Sequence, residues 1–255
     1  MGLRERARGY RRAGQMTALT LAMLPAAQLH RRLRGDEEAA RRTFEVWERA
    51  WAERLLGVFG MHIHMQGRAP AGPPRARLVV SNHRSPVDIL VAIAKVGGCV
   101  LSRADLAQWP LLGPAAVAAE TIFVGRGDRV SGAQAIRQIR RRLAAGRHVI
   151  VFPEGTTHAG DEVRTFHRGV FSAATGLPVE ILPMAVAYPP GCEFVEDSFG
   201  DHMLRVAARK RTDVGVAIGA PYPLSGSSKV AAGVAQEVVQ DLVHKARSAI
   251  VHVAS

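Results

Sequence analysis

The stretch Leu78-Val79-Val80-Ser81-Asn82-His83-Arg84-Ser85-Pro86-Val87-Asp88 decides how this chain folds. Leu78 to Val80 is an apolar run of strand character. Ser85-Pro86 is a helix-entry signal: serine is a good N-cap, and proline is tolerated at the first helical position, where its missing N–H would be unpaired anyway. The two signals put His83 in a short loop between a strand and a helix, with Asp88 in the first helical turn. A histidine with one ring nitrogen held by a carboxylate has a fixed tautomer and can act as a general base. The same spacing also fits a plain capping box, in which Asp88, three residues after Ser85, bonds back to the cap N–H and His83 is an ordinary loop histidine. The stretch alone leaves both readings open.

Downstream, two more strands end on residues that can carry chemistry. Thr121 to Val124 runs into Gly125-Arg126-Gly127, where glycines let the backbone turn and a guanidinium can fork onto a phosphate. His148 to Phe152 runs into Pro153-Glu154-Gly155-Thr156-Thr157, a carboxylate and a glycine beside two hydroxyls. Each also reads as a plain solvated turn. Val179 to Ala187 is strand-like but holds Pro183, which argues for an edge, a bulge or a strand end. Helices are expected from Asp128 or Ser131 to Ala145, from Gly169 to Gly176, from Phe194 to Arg209 and from Ser228 to Val251. From about Arg75 onward this alternation predicts an α/β fold, a central mixed, mostly parallel sheet flanked by helices on both faces. In open α/β sheets ligands bind at the carboxyl ends of the strands, the address shared by His83, Arg126 and Glu154.

Upstream, Arg4, Arg6, Arg8, Arg11 and Arg12 precede an apolar segment from Ala13 to Leu29, and Arg31, Arg32 and Arg34 follow it. A bilayer crossing needs about 20 apolar residues, and this segment contains Thr17, Thr20, Pro25 and Gln28. A secretory leader is a rival reading, but arginine flanks both sides. A helix lying in a membrane interface, with its arginines at the headgroups, fits better, and a helix packed on the domain is the other alternative. Asp36 starts a second helix to about Phe59, with Phe44, Trp47, Trp51 and Leu55 on an apolar face and Glu37, Arg41, Glu48 and Arg49 on a charged one. The expected organisation is therefore a basic helical hairpin over residues 1–60, membrane-associating, and an α/β domain over residues 61–255.

Composition limits the function classes. The net charge of +12 over 255 residues suits an anionic partner: nucleic acid, an anionic membrane surface or a phosphorylated substrate. Aromatic residues are only 5%, and no helix-turn-helix, zinc or stacking-sheet signature is visible, so no nucleic-acid partner is expected. Two cysteines, Cys99 and Cys192, give no disulfide framework. His62 and His64 share one face of a strand, and His83, Asp88, Glu154 and His158 could be imagined around a metal, but no compact ligand set supports either, and no metal is expected.

Four blocks in order resemble the glycerolipid acyltransferase family, typified by 1-acylglycerol-3-phosphate acyltransferases. Asn82-His83 with Asp88 matches its His-x4-Asp motif; Ile122-Phe123-Val124-Gly125-Arg126 is similar to its second block, Phe152-Pro153-Glu154-Gly155-Thr156 to its third, and Ile181-Leu182-Pro183-Met184-Ala185-Val186 to its fourth. The resemblance implies acyl transfer from acyl-CoA or acyl-carrier protein to a lysolipid hydroxyl, with no further cofactor, at the cytoplasmic face of the plasma (inner) membrane. It implies that His83 and Asp88 form the catalytic pair and that Gly125, Arg126, Glu154, Gly155 and Thr156 bind the acceptor. Phosphatidate-forming members usually carry arginine where this chain has Thr157. Arg164 or Arg168 could substitute, or the acceptor differs. Lysophosphatidate is the first expectation, and the Glu-Gly-Thr-Thr form, which resembles members acting on lyso-ornithine lipid, supplies the alternative.

Overall fold

Sheet and helices follow from where the apolar runs and caps fall. The computed structural model describes residues 1–69, 75–125, 127–195 and 198–251. Helices α1 (Leu3–Arg32) and α2 (Glu37–Val58) form a hairpin ahead of β1 (Met61–Gln66) and β2 (Arg77–Ser81). Then come α3 (Val87–Lys95), β3 (Cys99–Arg103), a 3-10 turn over Ala104–Gln108, α4 (Leu112–Ala118), β4 (Ile122–Val124), α5 (Arg129–Ala144) and β5 (Val149–Val151). The chain closes with α6 (Gly169–Ala174), β6 (Glu180–Ala187), α7 (Phe199–Ala208), β7 (Thr212–Ile218), β8 (Tyr222–Pro223) and α8 (Ser228–Val251).

The sheet runs β1-β7-β6-β2-β5-β3-β4, with β8 beside the start of β6. β6, β2, β5, β3 and β4 are parallel; β7 is antiparallel to β6 and parallel to β1. This is the mixed, mostly parallel sheet expected. Every residue of β2 is buried, as a strand covered on both faces requires. Leu78 and Val80 pack into a core with Ile139, Leu143 and Val239, while Val79 points the other way, to Leu55, Val91 and Leu182. Burying each such side chain is worth about 1.5–3 kcal/mol.

Three expectations change. Pro183 is not on an edge: β6 is central, paired with β2 from Glu180 to Met184. Its other side is shared, with β8 taking Glu180 and Ile181 and β7 taking Met184 to Ala187. Pro183 sits at the join, where its missing N–H is not needed and its carbonyl accepts from Gly219 N at 3.0 Å. Helix α7 starts at Phe199, capped by Ser198 Oγ on Asp201 N, rather than at Phe194. Arg12 does not join the surface arginines of α1. It is buried and donates to the carbonyls of Phe59, Ala207, Arg209 and Lys210, so it caps orphan carbonyls where α2 and α7 end. Burial, with Arg8 and Arg11 nearby, lowers the Arg12 pKa.

The hairpin is fastened by side chains. Asp36 caps α2 through Ala39 N at 2.7 Å, Trp51 Nε1 donates to Thr20 Oγ1 at 3.0 Å, and Trp47 Nε1 donates to His30 Nδ1 at 3.0 Å. Helix α1 packs on α2 and α7, and α2 packs on α3.

Candidate active site

β2 delivers His83 to the carboxyl edge of the sheet, and α3 begins four residues later. Asp88 Oδ2 accepts from the backbone N–H groups of Arg84 (2.6 Å) and Ser85 (2.9 Å), so it closes the start of the helix as a capping box does. The same oxygen lies 2.7 Å from His83 Nδ1. The two readings of the spacing are thus one arrangement: the cap holds Asp88 where the imidazole needs it. Asp88 Oδ1 accepts from the Tyr188 hydroxyl at 2.7 Å. The tyrosine is fully buried, and desolvation first, then the Asp88 charge and hydrogen bond, hold its pKa well above the usual phenol value, so it stays a donor.

An ionised carboxylate only accepts, and four donors converge on this one. His83 Nδ1 therefore carries the proton and Nε2 keeps its lone pair. The ring stacks on Phe152, with centroids 4.3 Å apart and planes 21° from parallel, and its side chain keeps 18% of its surface exposed. A base that is oriented, backed by a carboxylate and still reachable can take a proton from a bound hydroxyl.

Glu154 is held inside the loop scaffold, and its side chain is fully buried. Oε2 accepts from His83 N at 2.7 Å and Arg84 Nη1 at 2.8 Å; Oε1 accepts from Arg164 N at 2.8 Å. Arg84 is the centre of this scaffold. Its guanidinium is 2% exposed and also reaches Gly160 O (2.6 Å), His83 O (2.8 Å) and Glu162 O (2.8 Å). Asn82, equally buried, exchanges two 2.9 Å bonds with the backbone of Val186 and ties the loop to β6. Bonds of this kind, with every buried charge satisfied, hold a loop rigid.

The other sequence candidates scatter. Gly155 and Thr156 are exposed beside the His83 loop. Gly155 has φ +75°, and a Cβ there would meet the His167 ring at 3.0 Å, so only glycine fits. Thr157 Oγ1 donates to Phe194 O and so ties the loop. Arg164 contributes its backbone to Glu154, while its exposed side chain lies 3.9 Å from Glu162. Arg168 is the exposed N-cap of α6. Gly125 N donates to Ser131 Oγ at 2.7 Å, and Arg126 lies outside the described residues. His158 supplies its N–H to His83 O at 3.2 Å. His64 pairs with Asp213 at 2.6 Å between β1 and β7. Among the described residues no group of three or more His, Cys, Asp or Glu could hold a metal ion.

Three residues that matter were not singled out by the sequence. Arg84 had a signal, because a charge inside a buried turn must be paired. Tyr188 had none, since its partner is 100 residues away. Glu48 had one that was misread. It stands four residues after Phe44 and seven before Leu55, in the register of the apolar face rather than the charged one. The structure places it in an apolar cavity of about 1080 Å³, counting its open mouth, between α1, α2, α3 and α4. Pro86, Ile89 and Leu90 are among its lining, and Pro86 follows His83 by three residues.

The acyltransferase family model matches residues 62–187. The lyso-ornithine lipid O-acyltransferase of Pseudomonas aeruginosa is 32% identical over 83% of this chain and 82% of its own length. The protein of the same name from Brucella abortus is 32% identical over 68% of this chain and 64% of its own. A 1-acyl-sn-glycerol-3-phosphate acyltransferase of Neisseria gonorrhoeae is 29% identical over 48% of each. The crystal structure of the 1-acyl-sn-glycerophosphate acyltransferase PlsC from Thermotoga maritima superposes with a TM-score of 0.71 over 94% of this chain and 98% of that one, at 20% identity, which shows the shared fold. With the His-x4-Asp pair in place at the edge of that fold, the chain belongs to the acyltransferase family.

Proposed function

We propose that this protein transfers a fatty acyl group from a thioester donor, acyl-CoA or acyl-carrier protein, to the hydroxyl of a lysolipid at a membrane surface. The observation that carries the reading is His83, its Nδ1 fixed on Asp88 and its Nε2 free, three residues before Pro86 in the lining of an apolar cavity. Nε2 takes the proton of the acceptor hydroxyl as its oxygen attacks the thioester carbonyl. The C–O bond forms, the C–S bond breaks, and the imidazolium returns its proton to the leaving thiolate. Asp88 orients the ring and stabilises its charged form. The acyl chain lies in the cavity beside α3.

For the acceptor we favour a lyso-ornithine lipid over lysophosphatidate. The relative from Pseudomonas aeruginosa carries that name and matches most of both chains. Thr157, where an arginine would serve a phosphate, is tied to Phe194 O. In this reading Gly125, Arg126, Gly155 and Thr156 are the acceptor-binding residues, and Glu154 holds the His83 loop in place. Residues 1–60 act as the membrane-facing unit and residues 61–255 as the transferase domain. Leu3, Tyr10 and Leu21 are exposed along one side of α1, and Arg4, Arg6 and Arg11 are exposed on the same helix, apolar and cationic groups that suit a headgroup surface. No helix among the described residues is long and apolar enough to cross a membrane.

The test is an acceptor panel. Purified protein with acyl-CoA or acyl-carrier protein should acylate lyso-ornithine lipid at least tenfold faster than lysophosphatidate. The reverse preference would return the assignment to lysophosphatidate, and no transfer to any lysolipid would overturn it.

A further inference from the structure

Helix α7 stands between the first helix and the catalytic turn. On one side α1 grips it. A Cβ on Gly9 of α1 would meet Leu204 Cδ1 at 2.7 Å, and Arg8 donates to Ala208 O at 2.6 Å. His202 comes two positions before Leu204, about 200° around the helix, and so faces the other way. It is fully buried. Its Nε2 lies 3.0 Å from Ser85 Oγ, and its ring packs on Phe194 with centroids 5.0 Å apart. A buried imidazole costs free energy unless it is hydrogen-bonded, so packing alone does not call for histidine here.

Ser85 shapes the turn that carries Asp88. Its N–H donates to Asp88 Oδ2 at 2.9 Å, its carbonyl accepts from Asp88 N at 3.0 Å, and its Oγ accepts from Val87 N at 3.3 Å. The contact with His202 fixes this residue from outside the turn. A hydroxyl both donates and accepts, so the bond forms whichever ring nitrogen of His202 carries the proton. On one flank the catalytic loop rests on Glu154 through Arg84. On the other it rests on α7, through Ser85 and through Phe194 N, which donates to Arg84 O at 2.8 Å.

We propose that His202 is a positioning residue for acyl transfer: through Ser85 it holds the turn that keeps Asp88 on His83, and it ties that turn to the helix gripped by α1. This rests on the acyltransferase reading and adds to it a residue that touches neither substrate nor His83. A displacement of about 1 Å at a reacting group can cost 10²-fold in rate. Loss of one anchor is expected to cost part of that, about tenfold in kcat, with KM for donor and acceptor held.

The experiment compares wild type with His202→Leu, His202→Gln and Ser85→Ala, each shown to be folded, using acyl-CoA and one lysolipid. His202→Leu is expected to lose about tenfold in kcat. His202→Gln, whose amide reaches the same place and can donate or accept, should recover most of it. Asp88 stabilises the His83 imidazolium, so a loosened Asp88 lowers the His83 pKa, and the rise of kcat/KM with pH should move to lower pH in His202→Leu. Ser85→Ala breaks the same contact from the loop side and leaves His202 in place, so the proposal stays testable if His202→Leu fails to fold. It should lose rate in the same way, and the double variant should lose little more than either single one. Wild-type kcat and pH profile in folded His202→Leu or in Ser85→Ala overturn the proposal, as do a glutamine that restores the fold without the rate and losses that add in the double variant. Wild-type protein that transfers no acyl chain would instead overturn the acyltransferase reading, and the titration of His83 followed by NMR would still test the positioning by His202.

Discussion

The two ends of α3 treat carboxylates in opposite ways. At the N-terminal end, Asp88 receives four donors, and Glu154 receives Arg84 and two backbone N–H groups. Near the C-terminal end, the half-buried Glu48 receives none among the described residues, and desolvation pushes its carboxyl up to about 8. The chemistry of the group is nearly the same, and only its neighbours differ. Where donors converge, an acid orients a base and pins a loop. Where they are missing, it is driven towards its neutral form.

Removing one partner at the saturated end should hurt most. Arg84→Met leaves Glu154 buried and unpaired, which costs about 3–5 kcal/mol. Chemical denaturation should show that loss, and a stability within 1 kcal/mol of wild type would mean the scaffold carries little. Asp88→Asn keeps the size of the side chain but deprives His83 of its charged partner. Its kcat should fall about 10²-fold, and a measured loss below fivefold would break the link between the pair and the reaction.

The unsatisfied end should respond to pH. Glu48 titrates near 8 in the fold against about 4.5 unfolded, so over that window the folded state holds a proton that the unfolded state has released. Stability therefore falls as pH rises from 4.5 to 8. Glu48→Gln has no proton to lose. It should gain on wild type across the same window, by on the order of 2 kcal/mol once partial solvation of the group is allowed for. Denaturation midpoints that stay parallel between pH 5 and pH 9 would contradict the unpaired carboxyl. The smallest effect is expected from Tyr188→Phe, which removes one of the four donors to Asp88. About 1 kcal/mol of stability should go, and the pH profile of kcat/KM should shift as the pair is retuned. A profile superimposable on wild type would reduce Tyr188 to packing.

Features that were legible in the sequence are local ones. The strand–loop–helix unit at Leu78 to Asp88 shows itself through an apolar run and a cap, both set by neighbours within a few residues. The start of the last helix, at Ser228, was readable for the same reason. What could not be read depends on distant partners. Whether Glu154 faces the substrate or the interior is decided by Arg84, 70 residues earlier. Pro183 argued for an edge because a proline in a central strand is allowed only where two partners share one side, and the sequence does not show that β7 and β8 divide β6 between them. Arg12 read as one more surface arginine because its four carbonyl acceptors come from elements folded around it. Glu48 is the instructive case, since the helical register already placed it on the apolar face and its charge outweighed that register in the reading.

The most direct test of the account is the dependence of acyl transfer on His83. Wild type and His83→Ala, both shown to be folded, are given a thioester donor and lyso-ornithine lipid, and the acylated product is quantified by mass spectrometry. The account predicts product from wild type and a rate about 10²–10⁴-fold lower from His83→Ala. Equal rates from the two proteins would contradict it.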